Sequence, residues 1–253
     1  MHSIFVEAGA KGMAVSGAIV AANFPSDSLD FLTAQNSLEL RRFDKLDMLV
    51  VSKLRSGFDR DCVDNLSLLL HKIASGELSK LKYVVFDFAH RGDDQSHAAD
   101  GFDDLVSATS ELILSAPVIT IAWARSFMSG ADLDFALACS GMVAEREARF
   151  SFETDLASSI GLYSSLARKI GWVKTERLMD HGSVLDADEM MALLLTKKVA
   201  DENTGVAGIE QYVSQCSRRY NASYSICRAQ RITMPQAIRG PCPVGMKGFP
   251  GLA

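Results

Sequence analysis

No apolar run in this chain is long enough to cross a bilayer without interruption, so no membrane span is expected. The N-terminal MHSIFVEAGAKGMAVSGAIVAANF has only a short Gly/Ala-rich apolar stretch. Glu7 stands ahead of it, which is the wrong charge flank for a secretory leader. Metal-ligand spacing is missing as well. Cys62, Cys139, Cys216, Cys227 and Cys242 are scattered, with no CxxC pair and no Cys/His pattern. They read as free thiols in a reducing cytoplasm, and no metal site is expected. Positive charge is in short supply: 26 Lys and Arg against 31 Asp and Glu leave a formal net charge of −5, which argues against general nucleic-acid binding. The G-x-S-x-G elbow of the α/β-hydrolases is absent, and there is no internal repeat.

What is present is a chain of 253 residues with 48% hydrophobic content, enough for one large α/β domain or two small ones. Residues 1–45 carry little clear signal beyond a short strand candidate at Leu38–Phe43; Ala14–Ala22 reads as either a strand or a buried turn. From Asp47 the pattern becomes regular. Asp47–Lys53 is a strand, and Asp59 or Asp61 caps a helix through Val63–Ala74 with Leu66, Leu69, Leu70 and Ile73 at helical spacing. Tyr83–Phe88 is a strand of buried character, His90–Gly101 a polar loop, Phe102–Leu114 a helix and Pro117–Ala124 a strand. Strands alternating with helices imply parallel pairing through crossovers.

The segment Ala116–Arg168 holds the candidate chemistry. A β-branched strand runs into the small-residue turn Ser129-Gly130-Ala131, then into an apolar helix carrying Asp134, then into a second strand followed by Glu153. A helix N-terminus opening on Gly and Ala suits a developing oxyanion, and two carboxylates suit proton transfer. Asp132 reads as a complement to the helix dipole, and Trp123 and Cys139 as packing. Further on, Asp186 and Glu189 have capping-box spacing. Gly205–Ile232 reads as a long arginine-rich amphipathic helix, and 241–253 as an irregular tail.

This order resembles the crotonase (enoyl-CoA hydratase/isomerase) superfamily. The matching residues are APVITIAWARSFMSGADLDFALACSGMVAEREARFSFE, YSSLARKIG at 163–171 and LMDHGSVLDADEMMALLL at 178–195. A narrower likeness, to the diffusible-signal-factor synthases, rests on SLARKIG, DADEMMALLL and IEQYVSQCSRRYNASYSICRAQR. The resemblance implies an α/β spiral of ββα units over 46–183, preceded by an N-terminal extension over 1–45. A helical oligomerisation region over 184–240 and an irregular tail over 241–253 would follow. It implies an acyl-CoA or acyl-carrier-protein thioester as substrate, with no other cofactor, in a cytoplasmic homotrimer or dimer of trimers. The oxyanion donors map to the amides of Ala99 (Ala98 if the alignment slips by one) and Ala131, with Ala98 and Gly130 as substrate contacts. The catalytic carboxylates map to Asp134 and Glu153. Hydration, dehydration and thioester hydrolysis share this geometry.

The chain departs from the family pattern at several of these positions. Gly130-Ala131-Asp132 replaces a glycine triplet, and Asp134 is one methylene shorter than the usual glutamate. No proline precedes Glu153, and Ala157-Ser158-Ser159-Ile160-Gly161 stands where a Pro-Gly-x-Gly-Gly segment is expected. These departures motivate a second expectation, a catalytically degenerate crotonase fold that binds acyl-CoA or serves as a scaffold. A third reading, a caseinolytic-type serine peptidase built on Phe127-Met128-Ser129-Gly130, lacks its histidine, since none occurs between His97 and His181.

Overall fold

A computed structural model describes residues 37–54, 58–78, 80–88, 102–153, 160–201 and 204–215. Its centre is a six-stranded sheet. Strand β1 (Leu38–Phe43) turns through a 3-10 segment at Asp44–Leu46 and pairs antiparallel with β2 (Met48–Lys53). Asp47 closes that turn in the left-handed region, at φ 50°. The remaining pairs are parallel: β2 with β3 (Tyr83–Phe88), β3 with β4 (Ile119–Ala124), β4 with β6 (Gly141–Glu145), and β6 with β9 (Lys198–Ala200). The sheet therefore draws on both the N-terminal segment and the region beyond residue 183.

Parallel strands buried on both faces read as near-continuous apolar runs, and YVVFDF and ITIAWA do so. Side chains alternate between two cores. Leu49, Val51, Val84, Phe86, Phe88, Ala122, Ala124 and Ala144 face helices α1 (Arg60–Ser75), α2 (Phe102–Ser115) and α3 (Gly130–Ala138). Met48, Val50, Tyr83, Val85, Ile121, Trp123 and Val143 face the other way, under Ile209, Tyr212 and Val213 of a helical stretch, α7 (205–215).

The local signals sit where the periodicity places them. Asp59 caps α1 by accepting the Cys62 amide proton at 2.8 Å, and Gly76 ends it with φ 83°. Leu66, Leu69, Leu70 and Ile73 are all buried. The Asp186/Glu189 capping box opens α6 (Ala187–Ala192), with both reciprocal bonds made, at 2.8 and 2.9 Å.

A second, three-stranded sheet positions the chemistry. Strand β5 (Phe127–Met128) leads into α3 and pairs parallel with β7 (Arg149–Ser151), which leads to Glu153. Strand β8 (Val184–Asp186) pairs antiparallel with β7, Ser151 opposite Val184. Helices α4 (Ile160–Ile170) and α5 (Trp172–Asp180) fill the connection. The turn into α3 and the approach to Glu153 are thus neighbours in one small sheet.

Helix α3 is held by aromatic packing. Phe135 is fully buried, and its ring meets Phe58 edge-on at 4.9 Å between centroids, with 88° between planes. Phe135→Ala is expected to cost about 3–5 kcal/mol in urea unfolding, the usual range for removing a buried phenyl ring. A loss under about 1 kcal/mol would show that this contact does not anchor the helix.

Candidate active site

Ser129 is extended, at φ −152° and ψ 168°, and Gly130 swings into the left-handed region at φ +52°. A Cβ added at Gly130 would meet nothing within 4 Å among the described residues, and the positive φ calls for glycine here. The Ser129 side chain makes no capping bond. The first-turn amides of α3, Ala131 among them, have no partner within the helix ladder and project from its positive end. Gly130 is exposed and Ala131 half-buried, so among the described residues this turn lies at the surface.

Asp134 lies three residues beyond Ala131, on the same helix face and about 5 Å further along the axis. It is 6% exposed, and its Oδ1 has no hydrogen-bond partner among the described residues. Burial pushes its carboxyl up to about 7, and the Asp103 charge at the start of α2 adds to the rise. Gly161, in the first turn of α4, backs the carboxylate so closely that a Cβ there would sit 3.3 Å from Oδ2. SSIGLYSS therefore supplies the small residue against which Asp134 rests.

Glu153 is exposed and follows β7. Its amide donates to Ser151 Oγ at 3.3 Å, and the Phe152 amide donates to Ser183 O at 3.0 Å. Gly182, at φ +54°, lies under its side chain: a Cβ there would be 3.0 Å from Glu153 Cγ. The two carboxylates thus rest on different glycines, Asp134 on Gly161 and Glu153 on Gly182. Ala98 and Ala99, with His90 and His97, lie outside the described residues, as do the segment 154–159 and the arginines at 218, 219, 228 and 231.

Asp132 does more than complement the helix dipole. Its Oδ2 lies 2.5 Å from Nζ of Lys53, whose side chain is 1% exposed. The ammonium also stands 5.2 Å from the centre of the Phe58 ring. The motif DMLVVSK signals a strand, and nothing in it marks Lys53 as buried. A lysine closing a strand otherwise buried on both faces was the available hint.

A second polar group runs along the C-terminal edge of the parallel strands. Ser52 Oγ donates to Asp87 at 3.1 Å, and Arg125 bridges Asp87 at 3.4 Å and Glu145 at 3.3 Å while lying 4.4 Å over the Trp123 ring. Cys139 is buried, and burial pushes its thiol up to about 12, consistent with packing. No cluster of His, Cys, Asp and Glu that could hold a metal is found among the described residues. No helix among them is long and apolar enough to cross a membrane.

No protein-family model matches the sequence, and no curated protein matches it at a significant level. Solved structures do match in three dimensions. An enoyl-CoA hydratase/isomerase from Marinobacter aquaeolei superposes with a TM-score of 0.62 at 16% identity, covering 79% of this chain and 86% of that one. An enoyl-CoA hydratase from Mycobacterium avium subsp. paratuberculosis gives 0.63 at 18%, covering 78% and 83%. A monofunctional enoyl-CoA isomerase from M. smegmatis gives 0.63 at 18%, covering 80% and 97%. Likeness at these identities establishes the fold: the chain has the crotonase fold, as its sequence resemblance implied.

The raised pKa of Asp134 has a consequence for stability. An unfolded carboxyl titrates near 3.8 and the folded one near 7, so the folded state holds its proton more tightly. The resulting stabilisation is complete below the unfolded value and is lost as pH rises through 7. Asp134→Asn, which cannot ionise, is expected to gain on the order of 1–4 kcal/mol relative to the native chain between pH 4 and pH 8. Urea unfolding at the two pH values measures this, and a constant difference would mean that Asp134 titrates normally.

Proposed function

We propose that this chain is a crotonase-type enzyme acting on acyl thioesters, as a hydratase or isomerase of an acyl-CoA or acyl-carrier-protein substrate. The observation that carries the reading is a single stretch of α3. A left-handed glycine opens the helix, half-buried Ala131 stands at its positive end, and a buried carboxyl whose Oδ1 has no partner among the described residues stands one turn later. The solved structures that share the fold include hydratases and an isomerase of enoyl-CoA, which supports the same substrate class.

In this mechanism the thioester carbonyl oxygen accepts from the Ala131 amide and from a second donor, Ala99 by alignment, or Ala98. Gly130 leaves room for the thioester beside the turn. Two fixed backbone donors in a dry pocket stabilise the enolate oxygen far better than water does, and one such donor is worth about 3–4 kcal/mol in known oxyanion holes. For hydration, Glu153 takes a proton from water as its oxygen bonds to C3. The C2–C3 π electrons move onto the thioester oxygen, and Asp134 then gives its proton to C2. A carboxyl near pH 7 suits both directions of that transfer. Coenzyme A or the carrier protein enters as part of the substrate, and the chemistry asks for no metal or other cofactor.

Asp134→Asn is expected to lower kcat on a 2-enoyl or 3-hydroxyacyl thioester by about 10²-fold or more, and Glu153→Gln by a similar factor. Steady-state assays over a panel of chain lengths measure this. Native turnover unaffected by Asp134→Asn would overturn the assignment. One feature favours the second reading, a binding or scaffold protein without turnover: Asp134 has the shorter side chain, which leaves a base displaced from where a glutamate would reach. Tight acyl-CoA binding in calorimetry with no turnover across the panel would establish that reading instead.

The assembly belongs to the same proposal. Phe127, Trp172, Val173, Val184 and Leu194 are large apolar side chains left exposed on the single chain. They support self-association, and the family resemblance implies that it takes the form of a homotrimer or dimer of trimers. Sedimentation velocity at micromolar concentration is expected to give three or six times the chain mass, and a monomer would count against the assignment.

A further inference from the structure

Asp132 is an unexpected residue at a turn meant to hold a negative charge. It follows Ala131 directly, is 9% exposed, and sits in the first turn of α3. Two like charges close together and screened from bulk water repel each other strongly. A lone Asp132 carboxylate would therefore oppose an enolate oxygen at the neighbouring amides. The structure places the Lys53 ammonium 2.5 Å from Asp132 Oδ2. The lysine arrives from the end of β2, 79 residues earlier, and its Nζ lies 5.2 Å from the Phe58 ring. Phe58 in turn packs on Phe135 of α3 itself.

We propose that Lys53 is a positioning residue of the oxyanion turn: its pairing with Asp132 keeps the first turn of α3 electrically neutral, so that the Ala131 amide can hold a negatively charged thioester enolate. This rests on the reading of Ala131 as a carbonyl-oxygen donor. Lys53 touches no reacting atom in this account. It acts through Asp132, and the fixed β2–α3 bridge also holds the helix start in place against the sheet. Asp103 bears on Asp134 two residues further along, and Lys53 pairs with Asp132 at the turn itself.

The test uses the full chain and two probes in calorimetry at mildly alkaline pH. Butyryl-CoA presents a neutral thioester, whereas acetoacetyl-CoA readily forms an enolate. Lys53→Met is expected to weaken acetoacetyl-CoA about 10–100-fold and butyryl-CoA by less than about threefold. Lys53→Met/Asp132→Asn recovers most of that loss. Asp132→Asn alone keeps or raises the preference for acetoacetyl-CoA over butyryl-CoA, because the ammonium remains. Thermal unfolding of the two single variants falls alike, since each breaks the same buried pair. A purely structural bridge would instead weaken both probes together in Lys53→Met, or give no recovery in the double variant, and either result overturns the proposal. Should Lys53→Met not fold, Asp132→Asn still decides: an acetoacetyl-CoA preference reduced about tenfold or more sinks it. If butyryl-CoA does not bind the native chain, the thioester site itself falls and this inference with it.

Discussion

Helix α3 has almost nowhere to face water, and that constraint organises the molecule. Of its nine residues, the seven from Asp132 to Ala138 are buried. A helix apolar on every side belongs inside a structure, and this one is packed against α2, α4 and strands β4 and β6. Its C-terminal end is also answered from inside: Lys169 of α4 donates to the Cys139 carbonyl at 3.2 Å. Only the first turn opens outward, at Ala131 and beside Gly130. Burial thus fixes the helix, and its first-turn amides, unpaired within the helix ladder, lie at that one open end.

The same burial creates an electrostatic difficulty that the chain resolves in two ways. Asp132 and Asp134 are two residues apart on one buried helix, yet their environments differ. Asp132 remains a partner for a cation brought in by β2. Asp134 has Gly161 on one side, the Asp103 charge nearby and one oxygen without a partner among the described residues, so it holds its proton up to about pH 7. A neutral pair and a proton-holding acid are the two ways a carboxyl can exist in a low-dielectric interior. Here they stand two residues apart on one helix.

Much of the fold is legible in the sequence because its signals are local. The β-branched run of YVVFDF, the leucine spacing of α1, the Asp59 cap and the Asp186/Glu189 box each depend on a few neighbouring residues. The motif SGADLDFALACSG likewise marks α3 and its turn, and Asp134 stands out there as a carboxyl among apolar neighbours. Lys53 does not stand out, because a lysine after an apolar run usually snorkels to solvent. The small sheet is equally hidden. Its strands are two or three residues long, too short for periodicity to register, and they exist only through pairing across the chain.

The sequence by itself determined the alternation of strands and helices, the caps, and the presence of a glycine-opened turn followed by a carboxyl. These depend on backbone preference and on repeats of two and 3.6 residues. Tertiary structure decided which charges meet and which side chains lose water. Lys53 reaches Asp132 because β2 ends beside the start of α3. Glu153 rests on Gly182 because β7 pairs with β8, and Asp134 rests on Gly161 because α4 folds back over α3. Such contacts join residues far apart in the chain, and a carboxyl's charge state follows from the groups and the solvent around it. No periodicity records either.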